Sequence, residues 1–413
     1  MKIKVVILLF LALSLNSFSQ ISSQEVGGQE TGDYLNTITT AVPFLRIAPD
    51  ARSGALGDAG LATKPDVNSG HFNASKYAFM KNDIGFSVSY TPWLRKLVDD
   101  INLAYVAGYK KIDKNQTVAL SLLYFSLGSI TFTDEIGSVT GNFTPNEFAV
   151  SGSYIRKFSD YFSGALSARY IYSNLTGGYS LSGGSSSHAG QTVAADATAF
   201  YKKNIELFSK KADLMIGLAI TNMGGKVSYS ESLDKNFIPT NLGLGVGLDF
   251  QLDNYNTLGF YADFNKLMVP TPPQYALDSL GQNIIENGKP VVFKGQDPNV
   301  STVSGMFGSF SDAPGGGKEE LREIAYSFGL EYWYDGNFAI RGGYFNENAY
   351  KGNRKYFTLG AGLKYNVFGL DFAYLIPTEQ RHPLENTLRF TISFDFEGLK
   401  KENSSTTTPT PAN

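Results

Sequence analysis

The chain has 413 residues and no cysteine, only three histidines, two tryptophans and 18% charged residues. Each scarcity excludes something. Without cysteine there is neither a disulfide framework nor a thiolate metal site. His71, His188 and His382 are too few and too scattered to make a metal centre, so no metal or other cofactor is expected. Lys+Arg number 35 against 38 Asp+Glu, which lacks the basic excess of a nucleic-acid binder. The glycine-rich stretch "DARSGALGDAGLAT" at 50–63 has no Lys-Ser/Thr pair for a phosphate loop and reads as turns. No Gly-x-Ser-x-Gly elbow occurs among the many serines, and the chain is not expected to be an enzyme. After the first twenty residues no apolar run approaches the ~18 residues of a spanning helix.

What is present begins with those first residues. Lys2 and Lys4 precede the apolar run Val5–Leu15, and the small residues Ser17 and Ser19 follow. This is the pattern of a secretory signal peptide, expected over 1–19 with the mature chain starting at Gln20. A secreted chain without cysteine must be held together by something other than disulfides.

Glycine and aromatics are the excess: 43 Gly, 30 Phe and 24 Tyr. They fall into a pattern, clearest in "TNLGLGVGLDFQL" at 240–252. Leu242, Leu244, Val246, Leu248 and Phe250 alternate with Gly243, Gly245, Gly247 and Asp249. Period-2 alternation of this kind marks strands. It recurs from about residue 83 (Ile84, Phe86, Val88, Tyr90) and then over 101–111, 116–128, 145–158, 161–175, 191–202, 212–224, 239–252, 256–267, 321–334, 336–347, 353–366, 367–377 and 386–397. The segment 191–202 is the weakest and 386–397 the cleanest. These fourteen segments approach the ~9–11 residues of a tilted strand that crosses a bilayer, whereas ordinary strands average about 5–6. One face is aliphatic and aromatic. The other is Gly, Ser, Ala and Thr, as suits a crowded lumen better than open water.

The links between segments alternate in length. Those after the even strands are short: "DKN", "SD", "KNIELFSKK", "DNY", "DG" and the junction Asn366–Val367. Those after the odd strands are longer and include 92–100, 129–144, 177–190, 225–238 and 268–320. This is the parity of an outer-membrane barrel with short periplasmic turns and long outer loops. Backbone groups find no water in hydrocarbon, so a closed barrel is the only β solution. The expected fold is an all-β, 14-stranded antiparallel transmembrane barrel over 83–397, with both termini periplasmic. In 240–252 the leucines then face lipid, and the glycines face a lumen that holds something.

Residues 20–82 show no strong period and are expected to be that filling, a periplasmic or luminal plug, the alternative being a disordered leader. The tail 398–413 is polar and of low complexity, the composition of a disordered segment. The long outer loop 268–320 carries "KPVVFKG" and "VSGMFGSF". Phe293, Met306, Phe307 and Phe310 are its partner-binding candidates, since exposed apolar clusters mark partner surfaces. The alternative is that the loop folds back and uses those side chains to fill the barrel mouth.

The stretch Phe44-Leu45-Arg46-Ile47-Ala48-Pro49-Asp50-Ala51-Arg52-Ser53, continued by Gly54-Ala55-Leu56-Gly57-Asp58-Ala59-Gly60, resembles the N-terminal signature of the PorV family. These are outer-membrane components of the type IX secretion system of Bacteroidetes. The resemblance continues through "FNASKYAF" and the barrel, covering nearly the whole mature chain. It also implies membership of the wider FadL-like group, fourteen-stranded barrels with an N-terminal plug. That group commonly has Asn-Pro-Ala where this chain has Asn73-Ala74-Ser75. The resemblance implies a role in protein secretion: binding secreted cargo by its C-terminal signal domain, beside a large outer-membrane translocon barrel, and passing it to a sortase-like attachment protease. Membrane lipid is the other expected partner. The alternative from the wider group is a channel for fatty acids or other hydrophobic small molecules. Lipid A modification is a third reading that no catalytic constellation supports.

Overall fold

The structure, a computed structural model, describes residues 35–396 except 96–97, 99, 134–135, 179–186, 231–234 and 380–382. The signal peptide, residues 20–34 of the plug, His382 and the tail lie outside the described residues.

Fourteen strands close into one antiparallel barrel. They are β1 (Ile84–Pro92), β2 (Ile101–Lys111), β3 (Gln116–Leu127), β4 (Asn146–Lys157), β5 (Phe162–Asn174), β6 (Gly190–Leu207), β7 (Lys210–Gly224), β8 (Asn241–Gln251), β9 (Asn256–Leu267), β10 (Ala325–Tyr334), β11 (Phe338–Asn346), β12 (Lys355–Tyr365), β13 (Phe368–Pro377) and β14 (Leu388–Phe396). Each pairs with its sequence neighbour, and β1 closes on β14 in the register Ile84↔Phe396 to Tyr90↔Phe390. No helix among the described residues is long and apolar enough to cross a membrane.

The outer wall is the apolar face of the alternation. Leu120 (70% exposed) and Leu166 (69%) project from it, and Phe86, Leu244, Phe260, Phe328, Leu359 and Ile392 are also exposed. In water such a wall would be an aggregation surface. In a bilayer it is solvated, and closure leaves no unpaired strand edge.

Local chemistry sets the short turns. Asp113 accepts hydrogen bonds from the backbone N–H groups of Asn115 and Gln116. Asp253 does the same for Tyr255 and Asn256. These Asx turns reverse the chain within a few residues. The turn expected over 203–211 is instead two residues long. The β6 pattern continues through Ile205 and Leu207, so the strand runs on and reverses at Phe208-Ser209. At the other end, 321–334 begins as helix rather than strand, and β10 starts at Ala325.

The lumen is filled by residues 35–83. Helix α1 (Ala51–Ala55), capped by the Asp50 carboxylate accepting from the Ser53 N–H, lies against β11 to β14. Phe44, Leu45, Tyr105, Leu123 and Ile171 form one buried cluster between plug and wall, and Tyr77, Tyr109 and Ile155 belong to another. The strand glycines make room for this chain. A Cβ on Gly217 would sit 2.1 Å from the Leu61 carbonyl oxygen, and one on Gly247 would sit 2.3 Å from that of Ala62. Close backbone approach is why those positions are glycine.

The plug runs the length of the barrel. At the long-loop end the Asn36 N–H donates to the Tyr350 carbonyl and the Ala41 N–H to that of Phe237. At the short-turn end the Asp83 N–H donates to the Phe396 carbonyl. Both termini were expected at the short-turn end. The last strand finishes there, the first described residues sit at the opposite mouth, and both termini themselves lie outside the described residues. Strand parity counts only strands, and the plug adds one more crossing inside the lumen.

Candidate functional site

The plug is fixed to the wall by buried polar contacts. Arg52 Nε and Nη2 donate to the two carboxylate oxygens of Glu331, at 2.9 and 2.8 Å. Its Nη1 donates to Asp66 at 2.7 Å. Arg341 shares Glu331, at 2.7 Å, and reaches on to Asp371 at 2.6 Å. On the neighbouring strands Arg389 of β14 pairs with Asp58 at 2.7 Å, and Tyr356 of β12 donates to the same carboxylate. The backbone N–H groups of Gly60 and Leu61 both donate to Asp263, at 2.7 and 2.8 Å. Where the wider group has Asn-Pro-Ala, Asn73 donates to the carbonyls of Leu61 and Ala199 and accepts from the Ser75 N–H. These bidentate and charge-assisted contacts are the strong kind, and they set the plug at one height and rotation.

A cavity of about 100 Å³ lies between plug and wall, lined by Arg46, His71, Asn222, Asn265, Phe345 and Arg354 among others. His71 sits edge-on to Phe72 and Tyr105 in the lumen, far from a metal-binding role. No group of His, Asp and Glu among the described residues could hold a metal ion.

The outer rim is dominated by the loop between β9 and β10. It contains two short hairpins, helix α2 (Thr302–Gly308) and helix α3 (Gly317–Arg322). α3 is clamped by charge. Lys266 Nζ lies 2.9 Å from Glu320 Oε2 and also pairs with Glu323. Lys351 Nζ lies 2.5 Å from Glu319 Oε1 and 3.0 Å from Glu323 Oε1. Asn36 Nδ2 donates to Glu319 and to the Pro272 carbonyl. One short helix thus joins the plug's first described residues, the long loop and the β11–β12 loop. Nearby, burial pushes the Asp312 carboxyl up to about 6, with Glu320 and Glu323 adding to the effect against the hydrogen bond from the Thr271 N–H.

The four apolar candidates separate. Phe293 is 68% exposed and Phe307 70% exposed. Phe310 is partly exposed, with the Lys266 ammonium 5.6 Å from its ring centre. Met306 was expected on the surface and is buried. Gly305, Met306 and Ser309 turn inward, and Gly305 is pressed against Phe237 and Pro270. The loop therefore does both things: one face of α2 closes on the barrel mouth while the other stays outside. Val303 and Leu321, also strongly exposed, were missed. The signal was there for Val303, four residues before Phe307 and so on the same helix face.

A closed barrel with an apolar outer wall, a lumen occupied by its own N-terminal segment and a large structured rim defines a plugged outer-membrane β-barrel. The chain belongs to the PorV family: the family model for "Type IX secretion system protein PorV" matches residues 29–274. It is therefore an outer-membrane protein of type IX secretion. No curated protein matches the chain. Among solved structures, a TodX deltaS2S3 mutant monoaromatic hydrocarbon channel is 11% identical with a TM-score of 0.47, covering 84% of this chain and 99% of that one. The Pseudomonas putida toluene transporter TodX is 10% identical with a TM-score of 0.46, covering 87% and 97%. A Pseudomonas aeruginosa FadL homologue is 11% identical with a TM-score of 0.42, covering 88% and 100%.

Proposed function

We propose that this protein is a non-enzymatic carrier and adaptor of type IX secretion. It binds cargo by a C-terminal signal domain at its outer rim, beside the translocon barrel, and passes it to the attachment protease. Family membership supports the pathway. The observation that carries the finer reading is the combination of a plug anchored at Glu331, Asp263 and Asp58 with a rim that leaves Phe293, Val303 and Phe307 in the open. A through-channel needs a path, and the plug's presence in the lumen weighs against one. A docking protein needs a rigid, partly apolar rim, because such patches mark partner surfaces. In this reading the long loops face the cell surface, the short turns and the end of β14 face the periplasm, and residues 1–19 are removed on export.

The test is co-purification. The tagged chain, extracted gently from native outer membranes, is expected to bring down a very large barrel protein and secreted proteins sharing a C-terminal domain. The variant Phe293→Ser/Phe307→Ser, which leaves the buried face of α2 intact, is expected to keep the translocon and lose most of the cargo. Normal export of cargo by that variant would remove the rim from the proposal. Recovery of the barrel alone with bound fatty acid would favour the hydrophobic-channel reading.

A further inference from the structure

One hairpin at the short-turn end stands apart. β6 pairs with β5 only as far as Phe162↔Tyr201, yet it runs on to Leu207 before β7 returns from Lys210. Beyond Lys202, whose N–H still donates to the Tyr161 carbonyl, the arm Lys203–Leu207 overhangs its β5 neighbour and pairs with β7 alone. The turn Phe208-Ser209 holds both residues at left-handed φ, 53° and 58°. Two-residue turns of this type favour Asn-Gly or Asp-Gly, and a bulky side chain is held there against its own preference. The Phe208 side chain nevertheless points into the open, 85% exposed.

The hairpin carries Lys202, Lys203, Lys210 and Lys211 against one acid, Glu206. Lys202 is paired with Asp213 at 3.0 Å. The Lys203 ammonium lies 5.9 Å from the centre of the Tyr161 ring, and Lys210 donates to the Leu252 carbonyl. Facing follows the register. Phe200 is buried inside, whereas Tyr201 and Ala199 lie opposite the exposed wall residues Ile216 and Leu218. By alternation Lys203, Ile205 and Leu207 continue that outward face. The apolar wall thus runs without a break into a segment whose outward face carries Lys203, Ile205 and Leu207, with Lys210 directly opposite Leu207. The adjacent turns add the stacked pair Phe158 and Phe162, along with Tyr161 and Tyr255. Aromatic side chains of this kind collect at the membrane–water interface.

We infer that the Lys203–Lys211 hairpin is a binding surface for anionic phospholipid headgroups at the short-turn face of the membrane. Lys203 and Lys210, on the outward face, meet lipid phosphate, whereas Lys202 pairs with Asp213 and Lys211 lies opposite Glu206. Ile205, Leu207 and Phe208 meet the glycerol and upper acyl region. Continuity with the lipid-facing wall favours a lipid over an acidic protein, which would not need an apolar face in line with the bilayer.

The test uses the purified full chain in mixed micelles containing phosphatidylglycerol and phosphatidylcholine in equal amounts, with retained lipid counted by native mass spectrometry. The wild type is expected to retain phosphatidylglycerol in preference, less so as salt rises. Lys203→Gln/Lys210→Gln is expected to lose that preference by on the order of tenfold or more, since each lysine at an anionic surface contributes about fivefold. The two single substitutions, each expected to lose several-fold, carry the same test with less disturbance of the hairpin. Phe208→Asn suits the turn and keeps the charge, so it is expected to keep the preference while retaining less lipid in total. Absence of any preference in the wild type, a preference insensitive to salt, or an equal preference in the lysine variants would overturn the inference. So would binding of an acidic protein by the hairpin without any lipid preference.

Discussion

Arg52, on the plug, and Glu331, on the barrel wall, are joined by two parallel hydrogen bonds of 2.9 and 2.8 Å. The Glu331 side chain is wholly buried and that of Arg52 nearly so. Arg341 and Tyr261 also reach Glu331, so the carboxylate is the hub of the plug's attachment. Removing one partner from a buried pair leaves an under-compensated charge. Arg52→Ala is therefore expected to destabilise the folded barrel by about 3 kcal/mol. Arg52→Lys keeps the charge but loses the two-pronged geometry, so its cost is expected to be smaller. The urea midpoint for loss of the compact gel mobility measures both. Equal midpoints for Arg52→Ala and the wild type would remove Glu331 as an anchor.

The glycines on the lumen face give a second test. The Ala62 carbonyl leaves no room for a side chain at position 247, and it belongs to backbone held by its own contacts. Gly247→Val is expected to displace the plug locally and raise ion conductance in planar bilayers well above that of the wild type. Val246→Ala, one residue away on the exposed outer face, is expected to leave conductance unchanged.

Lys351 balances Glu319 and Glu323 beneath α3. Without it two buried carboxylates lose their shared cation. Lys351→Met is expected to loosen α3 from the mouth and raise the rate of proteolytic cleavage within 268–323 by roughly tenfold, because cleavage follows the local opening equilibrium. The barrel itself, held by strand pairing elsewhere, is expected to keep its unfolding midpoint to within about 1 kcal/mol.

Asp312 makes the rim sensitive to pH. Its carboxyl titrates at about 6 in the folded chain, against 3.8 ordinarily, chiefly because it is buried. The folded state thus binds this proton more tightly than the unfolded state. Its contribution to stability is fully present below about pH 4 and is lost as pH rises through about 6. Asp312→Asn can still accept the Thr271 N–H and carries no charge. Its rim is expected to resist protease better than the wild type's at pH 7.5, with the difference gone at pH 4.

Much of the architecture was legible along the chain. Alternation such as Leu388, Phe390, Ile392 and Phe394 depends only on a strand having two faces, so residues near in sequence reveal it. That is why 101–111 and 256–267 coincide with β2 and β9. Phe208-Ser209 was not legible as a turn, because it lacks the Asn-Gly or Asp-Gly that such a reversal favours. Met306 was misplaced for another reason. A seven-residue helix shows too little period to tell which face packs, and the surface it covers, around Phe237 and Pro270, comes from elsewhere in the chain.

By itself the sequence determined that this is a membrane barrel of fourteen strands with small residues lining its interior, because period, segment length and link length are local properties. It also carried, in residues 44–60, the family signature. Only the tertiary structure decided that the described plug runs from the long-loop mouth to the short-turn end, which wall residues grip it, and which side of α2 is left free. Arg52 and Glu331 are 279 residues apart. Nothing near either one specifies the other. The pairing exists because closing the barrel brings β10 around to the height at which the plug's short helix lies.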